Sequence, residues 1–465
     1  VFAVLANAAR FALKRRRDQL AVSVHVNQRA SLLHVAQACE RWEQDVTEFF
    51  KSFASAITTF WRAPGPAQVG MGLFFAASVA DGILMPFFAL WAHGVAGIPI
   101  EFIGLLLGCY AGGELLATPF VGGIADRLGR RPVLLISTIG VGCGFVLLYL
   151  VRGAFAAAAA LIIIGVFESV LHPTASTVIA DVVPVEARRR HFAARRVMSN
   201  AGSMAGPALG ALLALHSLGL VFLGAGITLL VAAVVVAACL VETRPPGAAP
   251  GEDDDDDSLL VLTAAFRDHR LAALMVPVAL IELAASWIGA IAPLYAETSG
   301  TLTASGIGLL FAYAGALGVV LQMPITHATE RMRGSLIVLW AGALQAAAFA
   351  FLFLSPALPS LVAAVTLLAL AGMLTGPLVQ SIVTELAPRT AQATYQAAFG
   401  VVGDLRDAAG PAIGTWLFAL AAALPWGAGA LLSIGASLGL VSVMRRHEQA
   451  VDVPAAPARD QQGEM

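Results

Sequence analysis

Asp81, Glu114, Glu168, His172, Glu282, Asp404, Arg406 and Asp407 each lie inside an apolar run of a 465-residue chain in which only 12% of residues are charged. An ionisable group in lipid costs several kcal/mol unless it is paired or hydrated, so each marks a candidate site. Burial disfavours the charged form of a carboxyl, which lets it take up and release a proton as its surroundings change. Glu168 and His172 are four residues apart and share one helix face. These types suit proton exchange or solute binding; for each, a structural hydrogen bond is the alternative. Bond-breaking chemistry is not expected. The stretch GASLG (435–439) fits GxSxG but has no strand before it and no nearby histidine and acid. HExxH is absent, and the nine histidines show no metal spacing. Cys39, Cys109, Cys143 and Cys239 are too scattered for a metal site or a disulfide framework. The only lysines, Lys14 and Lys51, follow no glycine-rich loop, which excludes a Walker A nucleotide site. No cofactor or metal is expected, and an ion gradient or the solute's own gradient must drive any transport.

The elements that hold these groups are set by composition. The chain is 58% hydrophobic, with a mean hydropathy of +0.81, and its apolar residues come in blocks long enough to cross a bilayer as helices. Twelve spanning segments are expected, near 67–92, 101–124, 132–151, 154–180, 195–216, 219–241, 272–296, 304–326, 334–355, 358–385, 393–423 and 426–444. Arginines concentrate after the even-numbered segments, while the opposite connections carry only Arg152. The positive-inside rule then places both termini in the cytoplasm. Ahead of the first segment, an extension (1–66) carries apolar residues at 4,3 spacing over 35–61, the pattern of an amphipathic helix. Residues 242–271 form an acidic linker containing EDDDDD, and 447–465 a disordered tail.

The two halves, 67–241 and 272–446, repeat each other. HPTASTVIADVVP (172–184) lies over GPLVQSIVTELAP (376–388), and GPALG (206–210) over GPAIG (410–414), both offset by 204 residues. IGLLLGCYAG (103–112) and IGLLFAYAG (307–315) start at the same offset. Such a parallel repeat places a substrate site between the halves near the bilayer midplane.

Between segments 2 and 3 runs GGIADRLGRRPVL (122–134), which fits GxxxDRxGRR with Gly122, Asp126, Arg127, Gly129, Arg130 and Arg131. The chain thereby resembles the major facilitator superfamily, over about residues 67–446. The resemblance implies an all-α membrane protein, with twelve transmembrane helices in two pseudo-symmetric six-helix bundles. It also implies a conformational latch on the cytoplasmic side, closed when the carrier faces outward. In it Asp126 meets the start of segment 11, favoured by the helix dipole, and Arg130 meets Asp181. SNAGSMAGPALGA (199–211) is similar to the segment 5 motif of the drug:proton antiporter branch, through Asn200, Gly202, Gly206, Pro207 and Gly210. Small residues at spacing four also allow close helix packing without any transport role. The branch's segment 4 arginine and glutamine are replaced by Leu161 and Ile164.

In this fold segments 1, 4, 7 and 10 line the cavity, so Asp81, Glu168 and Glu282 are the cavity candidates for substrate or proton coupling, with His172, Asp404 and Asp407 beside them. Segment 11 borders segment 2. Because Arg406 stands where the first half has Gly202, it is expected to pair across that seam with Glu114, or with Asp404 nearer by. The resemblance implies proton-coupled export of small amphipathic molecules by alternating access, from the plasma membrane, by a monomer that binds lipid and solute but no nucleic acid. The alternatives are a metabolite symporter or facilitator, and a membrane sensor on the same fold.

Overall fold

The computed structural model describes residues 54–118, 128–243, 267–330, 332–388 and 392–452. Among these residues a short helix at 54–62 precedes twelve long ones, and there is no strand. The long helices are α1 Gly65–Gly94, α2 Ile100–Ala117, α3 Arg130–Leu150, α4 Ala154–Val182, α5 Val185–Ala214 and α6 Leu218–Cys239 in the first half. The second half has α7 His269–Thr298, α8 Ala304–Thr329, α9 Gly334–Leu354, α10 Leu358–Leu386, α11 Gln392–Leu420 and α12 Leu424–Asp452. Apart from 54–61 and the two ends of the linker, the amphipathic stretch 35–61 and the acidic linker lie outside the described residues.

Local chemistry sets the helix starts. Pro64, Pro99 and Pro184 precede α1, α2 and α5, where a fixed φ and a missing N–H cost nothing. Gly129 and Gly153, at φ 93° and 89°, turn the chain into α3 and α4, a conformation a side chain disfavours. Ser217 and Asp268 cap α6 and α7 by accepting from the Gly219 and Arg270 amides.

Ten of the twelve helices are long and apolar enough to span a membrane on their own. The other two are α5, which begins with the arginines 188–190, and α11, which carries Asp404, Arg406 and Asp407. They are repeat partners. Two expected boundaries are corrected. Helix α5 begins at Val185 rather than near 195, and α12 runs to Asp452, so residues 447–452 are helical rather than part of a disordered tail. Hydropathy registers where lipid ends, whereas a helix continues into water as long as its backbone bonds are made.

In the first half α1 packs on α4, α5 and α6, while α3 packs on α4 and α6 and α2 on α4. In the second half α7 packs on α11 and α12, and α9 on α10 and α12. The halves meet along α2 with α11, α5 with α8, and α1 with α7. Both outer seams are built on the same glycine. A Cβ on Gly104 would strike the Pro411 carbonyl; on Gly308 it would come within 2.9 Å of the Pro207 carbonyl. Both pairs are related by the 204-residue offset.

One buried cluster runs through both bundles at the end holding the α1–α2 and α7–α8 connections, with Phe87, Trp91, Ile103, Phe145, Trp287 and Ile307 among its members. Toward the arginine-rich end the core divides in two. One cluster, around Leu73, Val178 and Leu240, stays in the first bundle; the other, around Leu274, Val383 and Leu440, stays in the second. Among the described residues the buried core is thus shared by the two bundles at one end and separate in each toward the arginines.

Candidate functional site

Four helices of the first bundle converge on a buried polar cluster. Helices α2 and α4 reach backbone contact because glycine stands at the crossing: a Cβ on Gly165 would strike the Tyr110 carbonyl, and one on Gly113 would lie 2.8 Å from the Ile162 carbonyl. That approach puts the Tyr110 hydroxyl beside Glu168, one turn further along α4. Tyr110 Oη lies 3.1 Å from Glu168 Oε2 and 3.2 Å from Glu114 Oε1. His172 Nε2 lies 3.3 Å from the other Glu168 oxygen, Oε1. Asp81 of α1 joins them: its carboxylate, that of Glu168 and the His172 ring each present a ligand atom within 4.8 Å of the others. This donor set of two carboxylates and an imidazole suits a proton and has the composition of a cation site. Asp81 Oδ1 is buried without a hydrogen-bond partner. Glu168 is 2% exposed, whereas the His172 side chain is 32% exposed and forms the accessible edge of the cluster. By residue count, Asp81 and Glu168 both sit about 21–24 Å along their helices from the arginine-rich end, near the midplane.

The fourth helix is α5. Its Arg195 places a guanidinium 4.4 Å from the centre of the Phe74 ring, a cation–π contact. The Phe74 ring in turn lies 5.1 Å from the His172 ring. Neither Tyr110 nor Arg195 figures among the expected site residues. Tyr110 is one turn before Glu114, a spacing that could have revealed it; Arg195 is masked in the sequence by the neighbouring loop arginines.

The second bundle holds a more open ion-pair group. Arg406 of α11 donates from Nη1 to Glu282 of α7 at 2.9 Å, and from Nη2 and Nε to Asp407 at 2.6 and 2.8 Å. The three side chains are 28–40% exposed, so water shares their charge. The expected Glu114–Arg406 pair is not formed, nor is an Arg406–Asp404 bridge. The repeat explains why. Gly202 packs on α1 against Ser78, and the counterparts of Gly202 and Ser78 at offset 204 are Arg406 and Glu282. Arg406 therefore faces α7 and not α2. The rest of the register agrees: Gly206 meets Gly82 and Gly210 meets Phe87, as Gly410 meets Ser286 and Gly414 meets Ile291.

The segment 5 residues Gly202, Gly206 and Gly210 thus let α5 lie backbone to backbone on α1, with Pro207 against Gly82 and Asn200 exposed. Ser199 and Ser78 hydrogen-bond at 2.6 Å at the same crossing. Of the loop motif, Gly122, Asp126 and Arg127 lie outside the described residues. Arg130 Nε lies 3.4 Å from Asp181 Oδ2. Glu242, expected to be mere linker, caps α3: it accepts from the Arg130 amide at 2.9 Å and the Arg131 amide at 3.1 Å. Glu448 does the same for α9 at the Ser335 amide, 2.8 Å. Ser437, the serine of the GxSxG match, is 4% exposed and packs against Gly342 of α9.

Comparison with known proteins gives a consistent account. Residues 70–411 match the family model described as Major Facilitator Superfamily. The chain is 28% identical over 347 residues to the class C tetracycline resistance protein of Escherichia coli, covering 73% of this chain and 85% of that one. It is 27% identical over 155 residues to the quinolone resistance protein NorA of Staphylococcus aureus, covering 31% of this chain and 37% of that one. Among solved structures, the nucleoside transporter NupG superposes with a TM-score of 0.69 at 11% identity, over 83% of this chain and 99% of that chain.

Proposed function

Since the chain belongs to the Major Facilitator Superfamily, we propose that its two bundles form a proton-coupled exporter of small amphipathic molecules, working by alternating access from the plasma membrane with both termini in the cytoplasm. The observation that carries the reading is the buried group Asp81, Glu168, His172 and Tyr110 at mid-depth in the first bundle. Three acids with one imidazole, counting Glu114, cannot all stay charged in low dielectric, so protons are held there and released when a solute or water enters the cleft. The second bundle supplies the opposite arrangement, an arginine bridging Glu282 and Asp407 and offsetting one of their two charges. Resistance to tetracycline, named for one relative, makes that compound the first solute to try. The protein works as a monomer without a cofactor, driven by the proton gradient.

A metabolite symporter is the second reading, supported by Leu161 and Ile164 in place of the branch's segment 4 arginine and glutamine. Purified protein in liposomes with an imposed pH gradient separates the two. Antiport requires tetracycline to move against the proton flux; movement with it selects symport. Neutralising Asp81, Glu168 and Glu282 singly should abolish gradient-driven movement in at least one case. Transport indifferent to the gradient and to all three changes refutes proton coupling.

A further inference from the structure

We propose that Tyr110 relays a proton between Glu168 and Glu114, so that the two carboxyls hold one proton in common and pass it between the buried Glu168 and the partly exposed Glu114. This rests on the reading of the chain as a proton-coupled carrier. A tyrosine hydroxyl has a single hydrogen to donate. Its oxygen nevertheless sits 3.1 Å from a Glu168 oxygen and 3.2 Å from a Glu114 oxygen. With both carboxyls ionised, one contact would be an unrelieved repulsion in a buried place. With one of them protonated, both contacts are hydrogen bonds: the neutral acid donates to the tyrosine oxygen, and the tyrosine donates to the other carboxylate. Two such states exist, differing only in which acid holds the proton.

Passage between them balances without any other reactant. Protonated Glu168 gives its proton to the Tyr110 oxygen as the Tyr110 hydrogen moves to the Glu114 carboxylate. One O–H bond breaks and one forms at each step, the tyrosine ends as it began, and the net change is a proton shifted from Glu168 to Glu114. The two ends differ in surroundings. Glu168 is almost wholly buried and its remaining oxygen faces His172, the accessible edge. Glu114 is partly exposed. The charged groups around the relay are Asp81 of α1 and Glu168 and His172 of α4, with Asp404 and Asp407 of α11 acting on Glu114 through space only. The wire therefore runs from His172 through Glu168 and Tyr110 to Glu114.

Tyr110→Phe keeps the ring and removes only the relay atom. In liposomes with tetracycline as the probe, gradient-driven movement is expected to fall about a hundredfold or more, the scale of a lost proton-transfer group. Infrared difference spectra across a pH step provide a readout independent of the solute. In the wild type, Glu168→Gln and Glu114→Gln should each remove or shift the same protonated-carboxyl band. In Tyr110→Phe the two carboxyls should titrate as separate bands. Unchanged gradient-driven movement overturns the relay. A Tyr110→Phe spectrum in which the two acids still share one band overturns it as well, even if that variant transports poorly through misfolding. If the wild type shows no gradient-driven movement of tetracycline, the exporter reading fails for that compound, and the infrared result alone decides the relay.

Discussion

The seam glycines offer a way to tilt the transport equilibrium by a calculable amount. In Gly308→Ala the new methyl carbon would lie 2.6 Å from Phe87 Cζ, 2.8 Å from Ala211 Cβ and 2.9 Å from the Pro207 carbonyl oxygen. Ordinary contact begins near 3.4 Å, so α8 and α5 must part by roughly half an ångström or more, an overpacking strain of about 1–3 kcal/mol. The strain falls on the described state, in which the seam is closed; in a state with the seam parted, as alternating access requires, the methyl would be free. The ratio of the two states should therefore move by about 5–150-fold toward the opposite one. Gly104→Ala acts on the repeat-related seam and should add to it, since the two sites are separate. Gly318→Ala, on α8 as Gly308 is and with no atom within 4 Å of the new carbon, is the matched control. The assay is a spin-label distance distribution between α4 and α10 at the arginine-rich end, in a variant without its native cysteines. Gly308→Ala should shorten that distance, and the control should not. A lowered melting temperature with an unmoved distance distribution would show that the strain is present in both states, and would refute the reasoning.

Arg406→Gln should strand Glu282 and Asp407 beside each other. With side chains 28–40% exposed, water limits the loss to about 1–3 kcal/mol, visible as a lower melting temperature that the added change Glu282→Gln partly restores. Gly165→Ala should drive α4 off α2 at the Tyr110 carbonyl, and gradient-driven transport should suffer more than in Gly372→Ala, which meets nothing within 4 Å. Glu242→Gln should weaken the cap on α3 by about 1 kcal/mol, read as faster hydrogen exchange at the Arg130 and Arg131 amides with the cluster at Glu168 undisturbed.

The helices were legible because spanning lipid demands long apolar runs, and proline and glycine mark most of their starts. The two halves were legible because the duplicated segments keep a constant offset. What escaped was azimuth, the direction in which a helical side chain points. Depth along α11 placed Arg406 level with Glu114, yet a seam is shared by several faces, and only the contacts of Gly202 reveal that this face belongs to α7. Tyr110 escaped for another reason: an uncharged hydroxyl in an apolar segment leaves no trace in hydropathy, and its role comes from Gly165 on a different helix. Glu242 escaped because charge next to an acidic run reads as solvated linker, whereas its carboxylate closes the amides of α3.

The repeat has aged unevenly. Where the halves touch, Gly104 with Pro411 and Gly308 with Pro207, both copies keep the same pieces. Where charge resides they have drifted apart: Ser78 with Gly202 in one copy stands opposite Glu282 with Arg406 in the other. A duplicated bundle that keeps its bearings but not its load is free to divide labour, one copy carrying a buried cluster of acids with an imidazole and the other an arginine bridged to two acids. The division also has a direction. A chimera built from two first halves would have matching seams, but it would lack Arg406 and the two acids it bridges, leaving a hinge without its counterweight.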